Sequence, residues 1–321
     1  MAFPTHFQGQ LFAQGVPLTG GSIPATFGTT FFVDAYNGND ANDGLSMDFA
    51  KSTVLAAYNL TTSGNHDVIV LTGNAAHSIA DEITVSKNRV HFVGLGGGSR
   101  YMGQRTRFEM GTTTGTAIAI IQVTGVGCTF TNIKFRSTDD LSTSLYAVAD
   151  GGEFTQWTNC SFEKDEDLNQ TTAAELLCNA DTGYYLNCSI GNCIYTKSVA
   201  RANVLFTRTT IAGKVARDCI FEDCILMNRT SATTAIFGKA TANDIERVCL
   251  FKNCTFWNAK TSSATQAACF IVAAALTDGE ILLQDCVSQN VTDIAAGSKG
   301  IFTTRPAPSA TGTESVEVTT T

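Results

Sequence analysis

Cys219-Ile-Phe-Glu-Asp-Cys-Ile-Leu226 decides the fold, because the chain carries five more stretches built on the same plan. Before it stand Gly127-Cys-Thr-Phe-Thr-Asn-Ile-Lys-Phe135, Phe154-Thr-Gln-Trp-Thr-Asn-Cys-Ser-Phe162 and Leu186-Asn-Cys-Ser-Ile190. After it stand Cys249-Leu-Phe-Lys-Asn-Cys-Thr-Phe256 and Ile281-Leu-Leu-Gln-Asp-Cys-Val287. One alignable position is always Asn or Asp: Asn132, Asn159, Asn187, Asp223, Asn253 and Asp285, at separations of 27, 28, 36, 30 and 32 residues. A unit recurring at this length marks a solenoid, a propeller or an array. Cys219 and Phe221 stand at period two, Glu222-Asp223 intervene, and Cys224 and Leu226 resume the period. On one continuous strand, the odd step from Cys219 to Cys224 would turn one of them outward. A bend at Asn or Asp keeps both inside, since these residues tolerate the left-handed backbone region and bond their own backbone. The copies show no helical period, so the expected fold is all-β, a right-handed parallel β-helix (solenoid).

The Asn between two short strands resembles the asparagine ladder of the pectate-lyase-like right-handed β-helix superfamily, over about residues 31–301. That superfamily includes lyases, hydrolases, phage tailspikes and virion proteins, so the resemblance implies the fold and leaves activity open. Its lyases combine calcium-binding acids with an Arg or Lys base, and no local motif here matches theirs.

A solenoid grows along one axis, so 321 residues need no second core. Three parts are expected: an extended docking arm over 1–30, the β-helix over 31–302 and a Thr/Ser/Pro-rich tail over 303–321. Phe3, Phe7, Leu11, Phe12 and Phe27 make the arm too apolar for an ordinary flexible leader. A net charge of −8 with 21 basic residues argues against a nucleic-acid surface. No run of eighteen apolar residues suggests a membrane span, and Met1-Ala-Phe-Pro-Thr-His6 lacks the features of a secretory signal. Ser46 is expected to cap a helix over 47–60 that covers the open end of the solenoid. Tyr36-Asn-Gly-Asn-Asp-Ala-Asn-Asp-Gly44 is turn chemistry that looks like a calcium loop, but Ala41 falls on a ligand position, which favours Asx turns. No metal and no cofactor is expected.

The chain has eleven cysteines. Cys160, Cys188, Cys224, Cys254 and Cys286 share the position just after the bend; Cys128, Cys219 and Cys249 share another. Successive coils lie about 4.8 Å apart, and side chains stacked in this way run parallel. Buried thiols acting as small hydrophobes are therefore expected ahead of disulfides or a metal site. Free thiols suit folding in a reducing cytoplasm.

The best catalytic candidates are acidic: Asp139 and Glu166 each lie seven residues past a bend, with Asp140, Asp165 and Asp167 beside them. Such a patch can be an acid–base pair for glycoside cleavage, a cation site or a solvated face, and the last is expected. None of the four histidines falls in the repeats, and no nucleophile–base pair is visible. Two functions remain. The expected one is a non-enzymatic phage virion protein assembled in the host cytoplasm and displayed on the virion surface. It would decorate the capsid or tail through its arm, with weak contact to host surface glycan, as a homo-oligomer for which a trimer is the preferred guess. The other is a tailspike-like β-helix that binds or depolymerises polysaccharide, as a lyase or glycoside hydrolase.

Overall fold

The computed structural model describes residues 12–13, 16–17, 28–96, 106–111, 117–138, 144–164, 172–230, 236–241, 243–259, 270–272, 276–290, 295–296 and 301–303. Three parallel sheets run the length of a right-handed β-helix, the first with ten strands and the other two with eight each. The chain visits them in turn: Gln156–Thr158 in the first, Ser161–Lys164 in the second, Ala174–Cys178 in the third, then Tyr184–Leu186 back in the first. Register is kept from coil to coil, with Trp157 beside Tyr185, Phe162 beside Ile190 and Leu176 beside Val204.

The corner between the first and second sheets is the predicted bend. Asn132, Asn159, Asn187, Asp223, Asn253 and Asp285 all adopt φ between 52° and 58°. There the backbone N–H points along the rod: Asn132 donates to Thr158 O, Asn159 to Leu186 O, Asn187 to Glu222 O, Asp223 to Lys252 O and Asn253 to Gln284 O. Side chains join the same ladder, Asn159 Nδ2 donating to Asn132 Oδ1 at 2.7 Å and Asn187 Nδ2 to Asn159 Oδ1 at 3.4 Å. Cys219, Phe221, Cys224 and Leu226 are accordingly all buried.

Inside, aromatic rings stack from coil to coil. Centroid distances are 4.9 Å for Phe92–Phe130, 3.9 Å for Phe130–Trp157, 6.4 Å for Trp157–Tyr185 and 4.4 Å for both Tyr185–Phe221 and Phe221–Phe251. The ten described cysteines are free, and all but Cys193 are buried. The column after the bend also bonds along the rod, Cys224 Sγ donating to Tyr185 O at 3.2 Å, Cys254 to Phe221 O at 3.3 Å and Cys286 to Phe251 O at 3.2 Å. Burial pushes the Cys188 and Cys254 thiols well above the ordinary range, which keeps them protonated and unreactive.

The helix at the amino-terminal end is shorter than its sequence suggested. It spans Val54–Leu60 and is capped by Thr53, whose Oγ1 accepts from Ala56 N at 3.2 Å. Ser46 instead closes a turn with Phe49 N, and Phe49 is exposed. The reason is tertiary: Asp40 accepts from the N–H groups of Ser52 and Thr53, both at 2.9 Å, and holds the preceding residues in the loop. That loop shares in covering the open end, since Lys51 N donates to Phe32 O and Asp34 N donates to Lys51 O, both at 2.9 Å, beside the first strand of the rod, Thr30–Val33. Asp34 accepts from Tyr36 N, Asn37 N and the side chains of Asn37 and Asn74, while Asn39 and Asp43 close Asx turns. These acceptors are filled by the chain's own donors. Phe12–Ala13 and Val16–Pro17 pair antiparallel with each other; Phe3, Phe7, Leu11, Phe27 and the side chain of Phe12 lie outside the described residues, as does 304–321. No described helix is long and apolar enough to cross a membrane.

Candidate functional site

Asp139, Asp140, Asp165, Glu166 and Asp167 lie outside the described residues, just past the second-sheet strands Lys134–Ser137 and Ser161–Lys164. Trp157, which the sequence places beside a bend, is fully buried within the aromatic stack.

The outer face of the third sheet is not free. Tyr146, Ala149, Ala174, Leu177 and Leu205 form a buried apolar cluster there with Ile211 of the following loop. A second buried group is ionic: Glu175 meets Lys197 Nζ at 2.7 Å and Arg201 at 3.4 Å, and Arg201 also donates to Lys164 O at 2.9 Å. Burial brings Lys197 down to about 8. All three side chains are sealed from solvent, so this group fastens a loop to the rod and has no access to a substrate.

Polar side chains with access to solvent, some of them half-buried, collect instead at the corner between the third and first sheets. Glu153, Asp181 and Arg217 succeed one another along the rod, and Glu246 follows beside Arg217. Arg217 donates to Asp181 Oδ2 at 2.8 Å and through Nε to Glu246 Oε2 at 3.0 Å. Arg208 reaches Glu246 Oε1 at 2.7 Å, Lys214 reaches Glu153 at 3.1 Å and Arg247 reaches Asp218 at 2.9 Å. The corner runs into an open cleft of about 450 Å³ lined by Arg247, Val248, Leu276, Thr277, Asp278, Gly279 and Glu280. On the adjoining sheet face, Glu222 accepts from Tyr184 OH at 2.7 Å and pairs with Lys252 at 2.8 Å.

The electrostatics favour holding over reacting. The Arg217 guanidinium keeps Glu246 below the ordinary carboxylate range, and Lys252 does the same for Glu222. The bond to Glu222 pushes Tyr184 up to about 12. Ionised, paired carboxylates are poor proton donors, and a phenol held in its neutral form is a poor base. What the corner offers is a row of planar donors and acceptors repeating with the coil. Such a row suits a hydroxyl-rich chain lying along it. No local motif in the sequence marks Asp181, Arg217 and Glu246 as neighbours.

No protein-family profile matches the chain and no curated protein sequence is similar to it. Its backbone is similar to that of solved structures. The pectin methylesterase from Aspergillus niger in deglycosylated form is 14% identical over 94% of this chain and 92% of that one, with a TM-score of 0.58. Pectate lyase Pel9A is 13% identical over 86% and 76%, with a TM-score of 0.54. The GH136 lacto-N-biosidase from Eubacterium ramulus is 9% identical over 84% and 62%, with a TM-score of 0.51.

Proposed function

We propose that this chain is a carbohydrate-active β-helix that holds a polysaccharide along the corner between its third and first sheets. The observation that carries the reading is the row formed by half-buried Asp181, Arg217 and Glu246 with exposed Arg208 and Arg247, which leads into the cleft beside Glu280. Similar backbones in pectin methylesterases, a pectate lyase and a lacto-N-biosidase support it. The described corner binds; depolymerisation, in this reading, falls to the loop carboxylates Asp139, Asp140, Asp165, Glu166 and Asp167.

The test is a polysaccharide array followed by calorimetry on the best ligand. Changing Arg217→Ala together with Arg247→Ala should weaken binding about tenfold or more while the far-UV dichroism stays the same. Replacing the five loop carboxylates by Asn or Gln should spare binding and abolish any release of reducing ends. A wild-type chain that binds no polysaccharide, or a double variant that binds as well as wild type, overturns the reading.

A second reading, display on a phage particle through the arm, is favoured by one observation: the cysteine columns are free thiols, as folding in a reducing compartment requires. Deleting residues 1–30 should leave the solenoid folded and remove the protein from purified particles. Undiminished incorporation, or absence of the full-length chain from particles, ends it.

A further inference from the structure

The outer face of the first sheet carries one lane of side chains in register: Thr129, Gln156, Tyr184, Ile220, Leu250 and Leu282. It begins polar and turns apolar from Tyr184 onward, and those last four side chains are only half-buried. Two residues further along each strand lies a second lane, with Leu186, Glu222, Lys252 and Gln284 at the same four levels. On the opposite side stand Asp218, two residues before Ile220, and Arg247, three before Leu250. At the level of Ile220 both flanks are thus acidic, and at the level of Leu250 both are basic. Within the chain these charges pair along the rod, Arg247 with Asp218 and Lys252 with Glu222, yet Arg247, Asp218 and Lys252 keep 60%, 38% and 37% of their side chains exposed.

We propose that a second copy of this chain packs on this face, antiparallel, about a twofold axis that runs along the strands between the levels of Ile220 and Leu250. An axis in that direction keeps each lane facing itself and exchanges the levels. Ile220 then covers Leu250 of the second copy, and Tyr184 covers its Leu282. Glu222 meets Lys252 of the second copy, and Asp218 meets its Arg247, so all four flanking charges face opposite signs. A twofold axis along the rod does the reverse. It exchanges the flanks at a constant level, setting Glu222 against Asp218 and Lys252 against Arg247. A threefold arrangement of parallel rods, the trimer expected from sequence, places the same like charges together. Opposed like charges discriminate against the wrong arrangement, so the pattern selects the antiparallel pair.

An apolar centre with a charged rim is the usual anatomy of a protein interface. Four levels about 4.8 Å apart, crossed by strands of about 18 Å, give roughly 350 Å² per partner. That size belongs to weak, concentration-dependent association.

Sedimentation from micromolar to millimolar chain tests the pair. The wild type should show a monomer–dimer equilibrium that weakens on Leu250→Ser. Glu222→Lys should weaken it about tenfold or more, and adding Lys252→Glu should restore it, because the swap rebuilds the opposite pair across the twofold axis. Near-UV dichroism checks that each variant is folded; if Glu222→Lys is not, Lys252→Glu makes the same test with the opposite sign. A chain that remains monomeric at millimolar concentration, a trimer, or a Glu222→Lys variant that associates more strongly would overturn the proposal.

Discussion

Each of the five coils entered at Gly127, Phe154, Thr182, Asp218 and Arg247 turns twice through the left-handed backbone region, and the two corners reach it by different routes. Between the first and second sheets the residue is always Asn or Asp. Between the third and first sheets it is Arg89, Gly127, Phe154, Thr182, Asp218 or Arg247, with φ between 49° and 68°. The geometry does the same work in both places. Phe154 N donates to Asp181 O at 2.8 Å and Thr182 N to Arg217 O at 2.7 Å, as the Asn corner donates to its next coil. A left-handed Phe or Thr costs about 1–2 kcal/mol, and the second corner must offset that with contacts from elsewhere. In one coil the source is visible: buried Asp150 accepts from Gly152 N at 3.1 Å, Thr155 Oγ1 at 2.8 Å, and Trp157 Nε1 and Tyr185 OH at 2.7 Å each. The lesson is that one conformation can be set by residue type or imposed by the coil stacked next to it.

The comparison can be broken most forcefully at Asp150. Asp150→Ala leaves an indole N–H and a phenol O–H buried without their acceptor and should cost roughly 3–5 kcal/mol in urea unfolding. A loss below about 1 kcal/mol would mean the second corner is not braced from inside. The same group gives a pH signature. Burial raises Asp150 from 3.8 to about 6, so the folded chain binds the proton more tightly than the unfolded one. Its contribution is fully present below the unfolded value and is lost as pH rises through about 6, on the order of 3 kcal/mol in all. Asp150→Asn should flatten the stability slope between those two values.

Next in size is Asn159→Val, which forces a β-branched residue into the left-handed region and removes its bond to Asn132; about 2–3 kcal/mol should be lost. The smallest effect should be Phe154→Gly, which relieves the same strain at the other corner and exposes no core. It should gain about 0.5–1 kcal/mol, seen as a higher denaturant midpoint with an unchanged slope. Should Asn159→Val and Phe154→Gly shift stability in the same direction, the distinction between the corners would fail.

These differences also explain what could be read from the sequence. Asn132, Asn159, Asn187 and their counterparts announce their corner because side-chain chemistry is what makes the bend favourable there. The cysteine column is legible beside it, since Cys224 and Cys254 must fill equivalent sites one coil apart. Phe154, Thr182 and Arg247 announce nothing, because no local preference puts them where they are. The helix starts later than the sequence suggests for a related reason: Asp40, well upstream, determines that Thr53 and not Ser46 is the cap. The candidate site is the least legible part. Asp181 and Glu246 lie 36 and 29 residues from Arg217 and become one row only when the coils are stacked.

The ring stack from Phe92 to Phe251 gives the folded chain an optical character of its own. Neighbouring planes are inclined by only 5° to 11°, and Trp157 sits between Phe130 and Tyr185. Transition dipoles held at that spacing couple, so the near-ultraviolet dichroic band comes from the stack as a whole and not from isolated rings. Light absorbed by Tyr185 passes to the indole 6.4 Å away and emerges as tryptophan fluorescence. Parting of those two coils therefore adds to emission at the tyrosine wavelength, on top of what the other six tyrosines contribute.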